Sequence, residues 1–165
     1  MVKLKNRYLL LEGINSKDPN KIMDVSDSDV YQAIWKCLVE LHGDVGAGRA
    51  KNSFSVKIFN SETGIMVVRI SVDAYEILAS SIPFVVKIGN YLASLRTIHI
   101  GGSIKSCEKA LLKFHRCQLL AKLSTAKTQL DKERIQKALS GITDLPESVS
   151  ESNQTLPSSS NNTMF

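Results

Sequence analysis

Little in this 165-residue chain is equipped for catalysis. Its three histidines, His42, His99 and His115, are scattered, and none has an acid or cysteine at metal-ligand spacing. Neither a G-x-S-x-G nor an H-E-x-x-H motif occurs, which removes the commonest hydrolase and zinc-protease signatures. Glu12, Asp73 and Glu76 would hold a metal only if the fold gathered them, and nothing in their spacing requires that. Cysteine is scarce. Cys37, Cys107 and Cys117 are an odd number without C-x-x-C spacing, and all three lie in helical patterns. They read as small core hydrophobes in a reducing compartment, not as disulfides or zinc ligands. No apolar run approaches the ~20 residues of a spanning helix, so no membrane association is expected. The amino-terminal apolar core, Tyr8 to Leu11, is four residues long before Glu12 interrupts it, too short for a signal peptide. Gly43-Asp44-Val45-Gly46-Ala47-Gly48 follows a helix instead of a strand and lacks a Lys-Ser/Thr ending, so it reads as a glycine-rich loop, not a phosphate loop.

Acidic residues are missing from one long stretch. Between Glu76 and Asp131 the only carboxylate is Glu108. From Lys105 to Lys137 there are nine Lys or Arg against three Asp or Glu, or +6, although the whole chain carries only +5. The pI of about 9.1 points to an acidic partner such as nucleic acid. The charge sits on a segment with a definite pattern. Arg96, Ile98 and Ile100 alternate with Thr97 and His99, as in a half-buried strand. Gly101-Gly102 breaks the strand, Ser103 offers an N-cap, and no proline interrupts the run to Leu123. On that helix Cys107, Leu111, Phe114 and Ala121 gather on one side, with Lys105, Lys109, Lys113 and Arg116 opposite. Lys127 joins the basic line if the helix continues. The glycine pair and the first helical N–H groups around Ser103, Lys105 and Ser106 suit an anion. The plainer reading is a solvated helix face, but a salt-bridged surface would alternate in sign, and this one does not.

The remaining pattern fills out one domain. Arg7 to Ile14 is apolar on both faces, as in an interior strand, and Lys3, Lys5 and Arg7 share one face at its entrance. Ser26 and Asp29 form a capping-box variant for a helix ending at Gly43, with Val30, Ile34, Cys37, Leu38 and Leu41 on its stripe. A hairpin follows: Phe54, Val56 and Ile58 alternate, Asn60 to Gly64 turns, and Ile65 to Val72 returns. A second helix starts near Asp73, is kinked or restarted at Pro83, and stops at Gly89-Asn90. The order β-α-β-β-α-β-α is that of the split βαβ, ferredoxin-like or RRM-like plait, an α+β fold. It predicts a four-stranded antiparallel sheet with helices on one face and an extra C-terminal helix. Residues 1–141 form the expected domain, with another helix or a continuation over Thr125 to Gly141. Residues 142–165 are rich in Ser and Asn and read as a disordered tail. Leu112, Leu119, Leu120 and Leu123 lie off the apolar stripe, either under the next helix or as a patch for a partner.

This plait carries many RNA binders, which stack bases on third-strand aromatics. Here that strand, Ile65 to Ile70, has none, and the first offers only Tyr8. RNA contact is therefore expected through phosphates, made by the basic helix, the N-terminal basic residues, and Arg96 and Arg69. A protein-interaction module whose basic helix binds an acidic protein is the alternative.

Three motifs carry a family likeness: MVKLKNRYLLLE at the amino terminus, FSVKIFNSETGIMVVRIS in the hairpin, and IHIGGSIKSCEKALLKFHRCQL. In this order, from Met1 to Leu123, they resemble the Pop five family of ribonuclease P/MRP protein subunits. The resemblance implies an RRM-like α/β sandwich that braces a large catalytic RNA, with no catalytic group of its own. It implies cleavage of precursor tRNA by the RNA and its magnesium ions, with no cofactor on the protein, and precursor rRNA processing in the MRP particle. The implied partners are ribonuclease P RNA, MRP RNA, the thirty-kilodalton ribonuclease P subunit and other holoenzyme subunits, in the nucleus and nucleolus. Lys3, Lys5, Arg7, Gly101, Gly102, Ser103, Lys105, Ser106, Lys109 and Arg116 match its basic and glycine signature. With Arg96 and Lys113 these are the expected RNA-binding residues.

Overall fold

A computed structural model of the chain describes residues 5–18, 22–125 and 129–143. Lys3, Lys127 and the 144–165 part of the expected tail lie outside the described residues. Five strands, β1 (Asn6–Asn15), β2 (Ser55–Asn60), β3 (Ile65–Ser71), β4 (Lys87–Ile88) and β5 (Tyr91–Gly101), form one antiparallel sheet in the order β2-β3-β1-β5-β4. The first four places are the expected plait; β4 is the added fifth strand, two residues on its edge. Central placement explains why β1 is apolar on both faces: Leu9, Leu10 and Leu11 are all fully buried.

One layer packs α1 (Asp27–Lys51) and α2 (Tyr75–Ser81) over Leu9, Leu11, Met66, Val68 and Ile70. The opposite face carries Leu10, Ile65 and Val67, and there α3 (Ile104–Thr125) docks through buried Cys107 and half-buried Ala110, Leu111 and Phe114. The extra helix therefore closes the second face of the sheet, and α4 (Gln129–Thr143) contacts α3 beyond it. The fold is a three-layer sandwich. Among the described residues no helix is long and apolar enough to cross a membrane.

The capping box forms as expected. Asp29 accepts from the Ser26 backbone N–H at 2.8 Å, and this bond, then the Ser26 hydroxyl, holds its carboxyl below the ordinary range. Four expectations need correction. The glycine-rich stretch after Gly43 is no loop: Gly43 (φ 60°) kinks the chain, and helix resumes to Lys51 because Gly46 and Ala50 are buried. Tertiary burial there outweighs the ~1 kcal/mol per glycine that isolated helices lose. The second helix ends at Ser81, a 3₁₀ turn spans Ile82–Phe84, and Gly89-Asn90 turns the β4–β5 hairpin instead of stopping a helix. The C-terminal helix runs past Gly141 to Thr143. Ala121 and Cys117 are exposed, so the apolar stripe of α3 grips the sheet from Cys107 as far as Phe114 and no further.

Cys117 is thus set apart from its two companions. Burial, and secondarily the Glu108 charge, pushes the Cys107 thiol up; burial, then Glu40, does the same to Cys37. N-ethylmaleimide is expected to label Cys117 alone in the native protein, with Cys37 and Cys107 reacting only on unfolding. Mass spectrometry of a labelling time course checks this, and native labelling of Cys107 would show that α3 does not stay docked.

Candidate nucleic-acid interface

The site begins with a strand irregularity. β1 and β5 shift register between Leu10 and Leu11, where Leu10 pairs His99 and Leu11 pairs Thr97, leaving Ile98 as an extra residue. Simple alternation along β5 is thereby broken. Ile98 joins the cluster under α3, and His99 also turns to α3, where its Nε2 lies 2.9 Å from the Ser106 hydroxyl. Gly101 leaves room for that bond, since a Cβ there would stand 2.8 Å from both Cβ and Oγ of Ser106. Its openness serves the helix itself. Ser103 caps α3 by accepting from the Ser106 backbone N–H at 3.3 Å, and Cys107 donates its thiol to the Tyr8 carbonyl at 3.6 Å. Ser103, Ser106 and Gly101 therefore fix the first turn of α3 against the sheet.

Arg96 has an internal task as well. Its Nη2 meets the Glu12 carboxylate at 2.5 Å, and its guanidinium stands 5.5 Å from the Phe114 ring centroid. It ties β5 to β1 and to the middle of α3, while its side chain stays 56% exposed. Beyond this tie lies an open cleft of about 550 Å³, with Glu12, Glu62, Ile65, Phe114, His115 and Lys122 in its lining.

What remains is outward charge. Lys105, Lys109, Lys113 and Arg116 are all exposed along α3, over about 17 Å of helix. Among the described residues Lys105, Lys113 and Arg116 form no ion pair. Lys5 and Arg7, exposed at the entrance of β1, arrive at the same end, because Tyr8 pairs with Gly101. The Arg7 guanidinium lies 3.6 Å from where a Cβ on Gly102 would stand. The structure thus brings Arg7, Gly102 and the start of the basic flank together. It separates them from Arg96. Sequence reasoning missed the His99–Ser106 bond and the Arg96–Phe114 contact, since a bulge and an aromatic partner eighteen positions along the chain leave no local signature. Among the described residues no three His, Cys, Asp or Glu side chains gather as a metal site would need.

Comparison with known proteins bears on the same region. A family model described as "Rpp14/Pop5 family" matches residues 7–112. The "Ribonuclease P/MRP protein subunit POP5" of Bos taurus is 33% identical over 143 residues, 84% of each chain. That of Danio rerio is 34% identical over 145 residues, 84% of this chain and 85% of the relative. A chain of a yeast ribonuclease MRP cryo-EM structure superposes with a TM-score of 0.47 at 11% identity, covering 86% of this chain and 93% of that one. The family model spans everything from the β1 entrance to the basic first half of α3, and with relatives this similar over most of its length the chain belongs to the Rpp14/Pop5 family.

Proposed function

We propose that this chain is a non-catalytic protein subunit of the ribonuclease P and MRP ribonucleoproteins, binding and bracing their RNA for precursor tRNA 5′ maturation and precursor rRNA processing. The observation that carries the reading is the basic flank of α3, exposed and continuous with Arg7. Lys5, Arg7, Lys105, Lys109, Lys113 and Arg116 are the phosphate contacts. Gly101, Ser103 and Ser106 position them, and Arg96 braces α3 from beneath. With α3 over the sheet, base stacking there is blocked, and contact goes to the sugar-phosphate backbone. The RNA supplies catalysis, with magnesium on the RNA and none on this chain. The thirty-kilodalton ribonuclease P subunit is the proposed protein neighbour, and nucleus and nucleolus the proposed location; both rest on the family membership.

Salt titration tests the reading. Binding of ribonuclease P RNA should weaken steeply with salt, at a log–log slope near −0.7 to −0.9 per phosphate contact. Replacing Lys105, Lys109 and Lys113 by Ala is expected to flatten that slope by about 2 without lowering thermal stability. An unchanged slope, or pull-downs from cells without ribonuclease P or MRP RNA, would remove the reading in favour of an acidic protein partner for α3.

A further inference from the structure

One cation of the sheet is placed unlike the rest. Arg69 lies on β3 opposite Ser55 of β2 and Tyr8 of β1. It faces the α3 side of the sheet, as its neighbour Val67 does two residues before. Arg69 is half-buried, and its Nε is removed from solvent with no hydrogen-bond partner. The Ser55 hydroxyl across the ladder is in the same condition. Facing residues of an antiparallel pair hold their Cβ atoms about 5 Å apart, so two unspent donors stand side by side. No carboxylate lies within ion-pair distance of Arg69 among the described residues.

α3 makes most of its sheet contacts with β5 and β1, and Arg69 lies on the same face toward the β2 edge. Beside it the β2–β3 ladder slips between Val56 and Ile58, and the extra residue, Lys57, is exposed. A half-buried guanidinium whose Nε has no acceptor, beside a hydroxyl that has none, suits an anion, and a planar guanidinium matches a phosphate oxygen pair. We propose that Arg69 and Ser55 form a second RNA seat, which takes one backbone phosphate where the strand leaves the basic flank of α3. The assignment of this phosphate to RNA, not to a protein carboxylate, rests on the reading of α3 given above.

The test uses the full chain and a short mixed-sequence single-stranded RNA, with anisotropy measured across a salt series. Arg69→Met is expected to reduce the log–log slope by about 0.7, one phosphate on single strands, and to weaken binding at low salt. Its melting temperature should hold or rise, because the variant removes a buried donor that the fold leaves unsatisfied. Arg69→Lys keeps the charge without the fork and should fall between the two; Ser55→Ala should weaken binding less. If Arg69→Met and Arg69→Lys both leave slope and affinity unchanged while the triple lysine variant loses them, the second seat is wrong and the proposed function stands. If the triple lysine variant binds normally, the reading of α3 fails, whatever Arg69 does. A lowered melting temperature with an unchanged slope in the folded protein would make Arg69 structural and overturn the seat. So would weakened binding of polyglutamate with RNA binding intact.

Discussion

Truncating Leu10 to alanine is expected to cost about 2–5 kcal/mol and to loosen α3 before the rest of the molecule. Leu10 is fully buried, but the cluster around it is small: Ile65, Val67 and Cys107 are its only other buried members, among the described residues. The α1–α2 layer rests on many more buried side chains, so it tolerates the loss of one. Urea unfolding gives the cost, and alkylation of the cysteines gives its address. In Leu10→Ala, Cys107 should label well before Cys37, since one is carried on the sheet-facing side of α3 and the other on α1 against Ser81. Equal labelling rates for both cysteines would mean that the layers melt together and that α3 is no separable lid.

Gly64→Ala should be nearly as damaging, for a reason that lies in the backbone. Gly64 closes the β2–β3 turn at φ +68°, a region where a side chain alone costs on the order of 1–3 kcal/mol. Its carbonyl also accepts from the Gly13 N–H at 2.8 Å, and a Cβ there would stand 2.4 Å from the Gly13 carbonyl oxygen. The clash is with backbone, so relief requires moving the turn away from β1. The control is Gly48→Ala in the second half of α1, where a Cβ would meet nothing within 4 Å and helix propensity favours alanine by about 1 kcal/mol. Thermal unfolding of the pair should show a large drop for one and a small rise for the other. Similar melting temperatures would contradict the turn geometry.

How much of this was legible in the sequence depends on whether the cause is local. The hairpin turn, the capping box at Ser26 and the start of α3 at Ser103 each follow from residues a few positions apart, and each was readable. The central place of β1 was readable too, because a strand apolar on both faces has to be flanked. Residues 44–51 misled because glycine content argues for a loop, while the burial of Gly46 and Ala50 that overrides it depends on residues far along the chain. The β4–β5 hairpin was hidden behind Pro83 and an apolar run that fits helix and strand alike. At the site, the positive charges were visible as a helical stripe. Their sorting into outward cations along α3 and one exposed cation tied to Glu12 and Phe114 was not. Arg96 reads like any surface cation until Glu12 and Phe114 are seen beside it, eighty-four and eighteen positions away in the chain.

A helix laid across the second face of the sheet has a consequence for how such a partnership ages. Phosphates are the same at every nucleotide, so on the proposed reading a helix flank that grips them is blind to which letters the polymer carries. Paired positions in the RNA are then free to exchange, A–U for G–C, provided that the duplex keeps its shape. On that reading the polypeptide would need no answering change, and each molecule would drift in composition while their fit endured.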